Sequence, residues 1–175
     1  MGSRKNKWIL LAAILVLFVV ITTPLSHLSF LGNYNGDEFT EQDLLTVEEI
    51  NDFMVVWSKF LRSDVGTMFR PISLNKNDEI PSQVSRWITT QGWSAKRFFA
   101  VEQRLRRLVN IAYLQNNLAS NIELQKKTSV TNLSDIIKHQ KDQLAALQYN
   151  PKELDLVSAN LYQISEVLNG KAVLE

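Results

Sequence analysis

The hydrophobic pattern of the chain changes character once. From Trp8 to Thr23 it is uncharged and almost wholly apolar, and a softer apolar tail continues to Leu31. The 24 residues from 8 to 31, at about 1.5 Å per residue, reach roughly 36 Å as a helix, enough to cross a bilayer. Beyond Leu31 no such run recurs. Apolar residues return instead at three- and four-residue steps, the period of helices with one buried face. The expected fold is all-α: a single amino-terminal transmembrane helix, then a compact bundle of about five helices, the last two forming an antiparallel hairpin.

Element boundaries follow from turn and cap chemistry. Residues 32–39, GNYNGDEF, read as a linker. Thr46 and Glu49 fit a capping box, and Ile50, Phe53, Met54, Trp57, Phe60 and Leu61 then form one apolar stripe, ending near Ser63–Gly66. Residues 64–80, with Pro71 inside, Pro81 just after and Asn-Lys-Asn-Asp between the two prolines, predict a loop that tucks in Phe69 and Ile72. A short helix after Pro81 carries Val84, Trp87 and Ile88 and stops at Gly92. Ser94 caps the next, with Trp93 and Phe98 placed as a hydrophobic staple, and this helix runs to about Lys127. A fourth spans about 132–148 with a stripe of Leu133, Ile136, Ile137, Leu144 and Leu147. Asn150-Pro151-Lys152-Glu153 starts the last, whose stripe Leu154, Val157, Leu161, Ile164, Leu168 ends at Asn169-Gly170. The domain layout expected is a tail over 1–7, an anchor over 8–31, a linker over 32–39, an exported domain over 40–170 and a carboxy-terminal tail over 171–175.

The long helix has two apolar faces at two heights. Phe98, Val101, Leu105, Leu108, Val109 and Ala112 share one arc; Ile111, Leu114, Leu118 and Ile122 line up on another side. The second face needs cover, either from the hairpin that follows or from a partner protein; the hairpin is the reading preferred. Lys96, Arg104 and Arg107 fall opposite the first stripe, which makes them a solvated basic back. Aromatic and basic residues are thus separated by the helix, not interleaved as base-stacking beside phosphate contacts requires. Arg104 and Arg107, Phe99 lying off the main stripe, and Ile111, Leu114, Leu118 and Ile122 are the candidate partner-binding residues.

Charge sharpens this. The chain has a net charge of +1, with Arg4, Lys5 and Lys7 ahead of the apolar run, leaving 16 basic against all 18 acidic residues in the remainder. That excludes a globally basic nucleic-acid binder. Residues 37–79 carry net −6 and residues 80–127 net +6. The simplest arrangement is internal, with the acidic first helix beside the basic third; anionic lipid headgroups are the external alternative. Arg4, Lys5 and Lys7 also predict a cytoplasmic amino terminus, with Trp8 as an interfacial anchor. No small-x-small cleavage site follows the apolar run, so it reads as an uncleaved signal anchor. The localisation expected is the bacterial inner membrane with a periplasmic domain, ahead of a eukaryotic type II arrangement.

Little in the sequence points to catalysis. With no cysteine, thiolate metal sites, disulfides and cysteine nucleophiles are excluded. His27 and His139 have no companion ligands in sequence, and no phosphate loop, G-x-S-x-G or H-E-x-x-H occurs. Glu41, Asp43, Glu48, Glu49 and Asp52 cluster at the first helix, where capping and the helix dipole place acids anyway, and Glu102 is positioned to pair with Arg106. No cofactor or metal is expected. The function expected is non-catalytic: a single-pass membrane subunit, scaffold or assembly factor whose exported domain docks other membrane or envelope proteins. A helical chaperone or lipid carrier with a pocket among Trp57, Trp87, Trp93 and Phe98 comes second, and an envelope hydrolase using the first-helix carboxylates third.

Overall fold

A computed structural model of the chain describes residues 44–69, 80–128 and 132–174. The anchor residues Arg4, Lys5, Lys7 and Trp8, the span 8–31, the linker, and His27, Glu41, Asp43 and Ile72 lie outside these. No helix among the described residues is long and apolar enough to cross a membrane. They form seven helices and no strand: α1 (Val47–Arg62), α2 (Asp64–Met68), α3 (Ser82–Thr90), α4 (Ala95–Lys127), α5 (Leu133–Ala145), α6 (Pro151–Ala159) and α7 (Leu161–Leu168). The all-α expectation holds; the helix count is corrected from about five to seven.

The caps explain most starts and stops. Glu49 N–H donates to Thr46 Oγ1 at 3.1 Å, Arg97 N–H to Ser94 Oγ at 3.2 Å, and Lys152 N–H to Asn150 Oδ1 at 2.9 Å; each satisfies a donor that the first helical turn leaves unpaired. The Trp93 and Phe98 rings meet at 5.8 Å, as the staple requires. Gly92 closes α3 at φ +87, and Gly170 closes α7 at φ +70. At Gly170 the Lys171 and Gly170 N–H groups donate to the Glu166 and Val167 carbonyls, a Schellman ending.

Two helix boundaries differ from expectation. Residues 64–68 are helix, not loop: Ser63 Oγ accepts from Gly66 N–H at 3.0 Å and starts a new turn. The turn folds so tightly onto α1 that a Cβ at Gly66 would sit 1.9 Å from the Phe60 carbonyl oxygen. The last helix is also broken, at Asn160, with φ −124 and ψ 23. Asparagine competes for backbone hydrogen bonds, and the Asn160 amide reaches back to the Leu156 carbonyl. The break lets α6 pack on α4 while α7 turns to meet both α4 and α1.

The aromatic core sits between α1 and the first half of α4. Phe53, Trp57, Phe60 and Phe98 are completely buried. Their rings form one connected cluster, with centroid distances from 5.1 Å for Phe53–Phe98 to 5.9 Å for Phe60–Phe98. Each such side chain contributes about 1.5–3 kcal/mol by burial, and each ring pair about 0.5–1.5 kcal/mol more.

The hairpin also differs from expectation. α5 and α6 both pack on α4 and make little contact with each other. Side-chain bonds follow the returning chain along α4: Gln125 to Ser134 at 2.8 Å, Asn121 to Gln140 at 3.0 Å, Gln115 to Tyr149 at 3.4 Å, and Arg104 to Glu153 at 2.9 Å. Numbers fall on α4 as they rise on the partner, so residues 133–153 run antiparallel to α4. The antiparallel pairing thus lies between α4 and the chain that follows it. The reason is the second apolar face of α4, which α5 covers.

Candidate docking surface

The arginines of α4 are engaged inside the domain, whereas Lys96 is exposed as expected. Arg97 grips the Glu49 carboxylate with two bonds, at 2.7 and 2.8 Å, joining α4 to α1. Next to it the Trp93 indole N–H donates to Asp52 Oδ2 at 2.7 Å. The acidic first helix therefore does lie against the basic one. Arg106 pairs with Glu102 one turn earlier and donates to the Leu168 carbonyl at 2.9 Å, tying α4 to the end of α7. Its guanidinium also lies 5.9 Å from the Trp57 ring centroid, within cation–π range. Arg107 donates to the Gln148 carbonyl.

Arg104 corrects the expectation of a solvated back most clearly. Its side chain is only 10 % exposed and lies 2.7 Å from Glu153 Oε2, whose own side chain is 3 % exposed. The other Glu153 oxygen accepts the Leu45 N–H at 2.6 Å. One carboxylate thus joins the segment entering α1, the first turn of α6 and the middle of α4. Both of its oxygens are satisfied, as a charge at that depth requires.

Glu102 is the other buried acid. Burial pushes its carboxyl above the usual glutamate range, and the neighbouring Arg106 pulls only part of the way back.

The remaining candidates also turn inward. Phe99 is buried, against Phe60 at 6.1 Å and Phe69 at 5.8 Å, so it contacts the segment after α2. Ile111 is fully buried. Leu114, Leu118 and Ile122 are half-buried, on the half of α4 that α5 packs against. The rings proposed for a lipid pocket fill the core against each other. Among the first-helix carboxylates, Glu49 and Asp52 are engaged as above, and Glu48 is exposed. His139 is exposed, and among the described residues no three His, Cys, Asp or Glu gather as a metal site would need.

The surface that remains open is one the sequence reading missed. The break at Asn160 opens a shallow notch of about 540 Å³ between the α6–α7 corner and α4, lined by Tyr113, Asn116, Ser158, Asn160, Tyr162 and Gln163 among others. Tyr162 is 77 % exposed and Tyr113 41 %. Among the described residues, no charged one lines the notch. A second open hollow, of about 470 Å³, lies further along α4 at Ala119, Ser120, Glu123, Leu124 and Lys127. Tyr113, Asn116, Ser120, Glu123 and Lys127 step 3-4-3-4, so the two hollows share one outer stripe of α4. Such a surface can hold a partner through tyrosine rings and neutral hydrogen bonds. The available signal was that both tyrosines fall off the apolar stripes of their helices. No protein-family model matches the chain, and no curated protein and no solved structure matches it.

Proposed function

We propose that the chain is a single-pass protein of the bacterial inner membrane whose exported helical domain docks partner proteins. It serves as a non-catalytic subunit, scaffold or assembly factor of a cell-envelope complex. The observation that carries the reading is the uncharged notch with Tyr113 and Tyr162 facing solvent, on a domain whose α4 arginines are engaged internally. Tyrosine presents a large amphipathic surface at low entropic cost and is enriched where partners bind. The basic flank and apolar run at 1–31 support the anchor.

The test uses the full-length protein with a carboxy-terminal tag, extracted in gentle detergent. A membrane partner should copurify at fixed stoichiometry, on a bait of intact mass. Tyr113→Ser with Tyr162→Ser should release that partner while leaving helical circular dichroism unchanged. A partner retained in full by the double variant moves docking off the notch. A bait shortened by about 20 to 30 residues removes the anchor.

A further inference from the structure

α4 is two different helices in one. Its buried residues run from Phe98 to Ala112, and none of residues 113–127 is buried. The helix that covers this second half, α5, buries only Leu133 and Ile137. Those two stand apart from the main core, although Leu144, Leu147 and Tyr149 pack against it. The bonds across the α4–α5 seam are neutral: Asn121 to Gln140 and Gln125 to Ser134. A neutral, partly exposed hydrogen bond contributes little net, because water replaces it readily. By contrast, the seam between α4 and α6 is closed by the buried Arg104–Glu153 pair.

We propose that α5 is a detachable cover. It opens from its Leu133 end, swings on the segment Leu144–Tyr149 that stays with the core, and bares the face of α4 that carries Leu114, Leu118 and Ile122. That face takes an amphipathic helix, as α5 itself demonstrates: apolar residues one turn apart at 133 and 137, with hydroxyl and amide groups at 134 and 140 meeting Gln125 and Asn121. The kind of partner it fits is therefore a helix of that pattern, admitted when α5 lifts. This is separate from docking at the tyrosine notch, which α5 does not line, and it stands or falls independently.

The experiment is native-state hydrogen exchange on the full-length protein, read by peptide at increasing low urea. Amides of 137–145 should exchange at least about tenfold faster than those of 51–60 and 99–110, because the 13-residue α5 unravels readily once off α4, and their rates should rise with urea less steeply than the core's, the mark of sub-global opening. Two mild variants then separate local from global events. Ile88→Val weakens only the main core, so core amides should speed up about fivefold while 137–145 stay unchanged, because closed and open forms lose that contact equally little. Asn121→Leu with Gln140→Leu makes the seam apolar and should slow 137–145 by about tenfold. The proposal is overturned if 137–145 accelerate together with the core in Ile88→Val, or if their exchange follows urea as steeply as the core does. It is also overturned if the leucine pair leaves their rate unchanged.

Discussion

Glu49 and Glu153 occupy the same position in two different helices. Each is the third residue, behind a cap at Thr46 or Asn150. Each is the residue that would reach back to its own cap in a capping box, and each instead accepts from an arginine of α4. There the likeness ends. The Arg97–Glu49 pair is 33 % and 22 % exposed, whereas the Arg104–Glu153 pair is 10 % and 3 % exposed and also receives the Leu45 N–H. The same local cue thus yields a wet tether in one place and a buried junction in the other. Surroundings, not residue type, set what each contributes.

The largest effect expected comes from breaking the buried junction. Glu153→Ala leaves Arg104 charged in a site with little solvent and leaves the Leu45 N–H without its acceptor. Removing one partner of a buried pair costs about 3–5 kcal/mol, a large part of the stability of a small domain. The urea midpoint should fall by that loss divided by the m-value. Replacing both partners, Arg104→Met with Glu153→Leu, should recover only part of it: no buried charge is left behind, but the Leu45 N–H still lacks its acceptor. A loss below about 1 kcal/mol in Glu153→Ala would place this pair with the exposed one and dissolve the comparison.

Glu102 tests the same contrast through pH. Its carboxyl is raised mainly by burial, with Arg106 opposing. An acid with a raised value in the folded state binds its proton more tightly there than in the unfolded chain. Its contribution is therefore complete below the ordinary glutamate value of 4.5, and is lost as pH rises through the raised folded value. Glu102→Gln removes this term, so the difference in thermal midpoint between wild type and variant should favour the variant increasingly as pH rises through that window, then level off. A difference running the other way would mean that Arg106 dominates over burial.

Cap chemistry and stripes made most of the fold legible. Thr46, Ser94 and Asn150 start helices and Gly92 and Gly170 end them because each satisfies or permits a specific backbone geometry that short sequence windows contain. The helix break at Asn160 was hidden because the stripe Leu154, Val157, Leu161, Ile164, Leu168 keeps its period across it. α2 was hidden because Gly66 reads as a breaker, whereas its missing side chain is what allows the turn to lie against Phe60. The candidate site was less legible still. An arginine opposite an apolar stripe looks solvated whatever it meets, and the partner of Arg104 stands 49 residues away. Tyr113 and Tyr162 come together only through the corner that the break creates, so the notch was beyond reach of any reading that carried the last helix through.

The smallest effect, and the one that fixes the other end of the comparison, is at Glu49. Glu49→Ala removes two hydrogen bonds to Arg97 and a favourable charge in the first turn of α1, yet Arg97 is a third exposed and water can take over its N–H groups. Exposed pairs of this kind contribute about 0–1 kcal/mol, and the dipole term about 0.3–1 kcal/mol at low salt. The cap itself survives, since Thr46 Oγ1 accepts from the backbone N–H of residue 49 and not from its side chain. The loss should therefore stay near 1 kcal/mol at low ionic strength and shrink as salt is raised, because screening reaches both terms. Glu153→Ala in the same titration should show little salt dependence, its partners being closed off from the ions. Measuring the two variants side by side from low to high salt reads the contrast directly, and equal salt slopes would mean that the two carboxylates sense the same solvent after all.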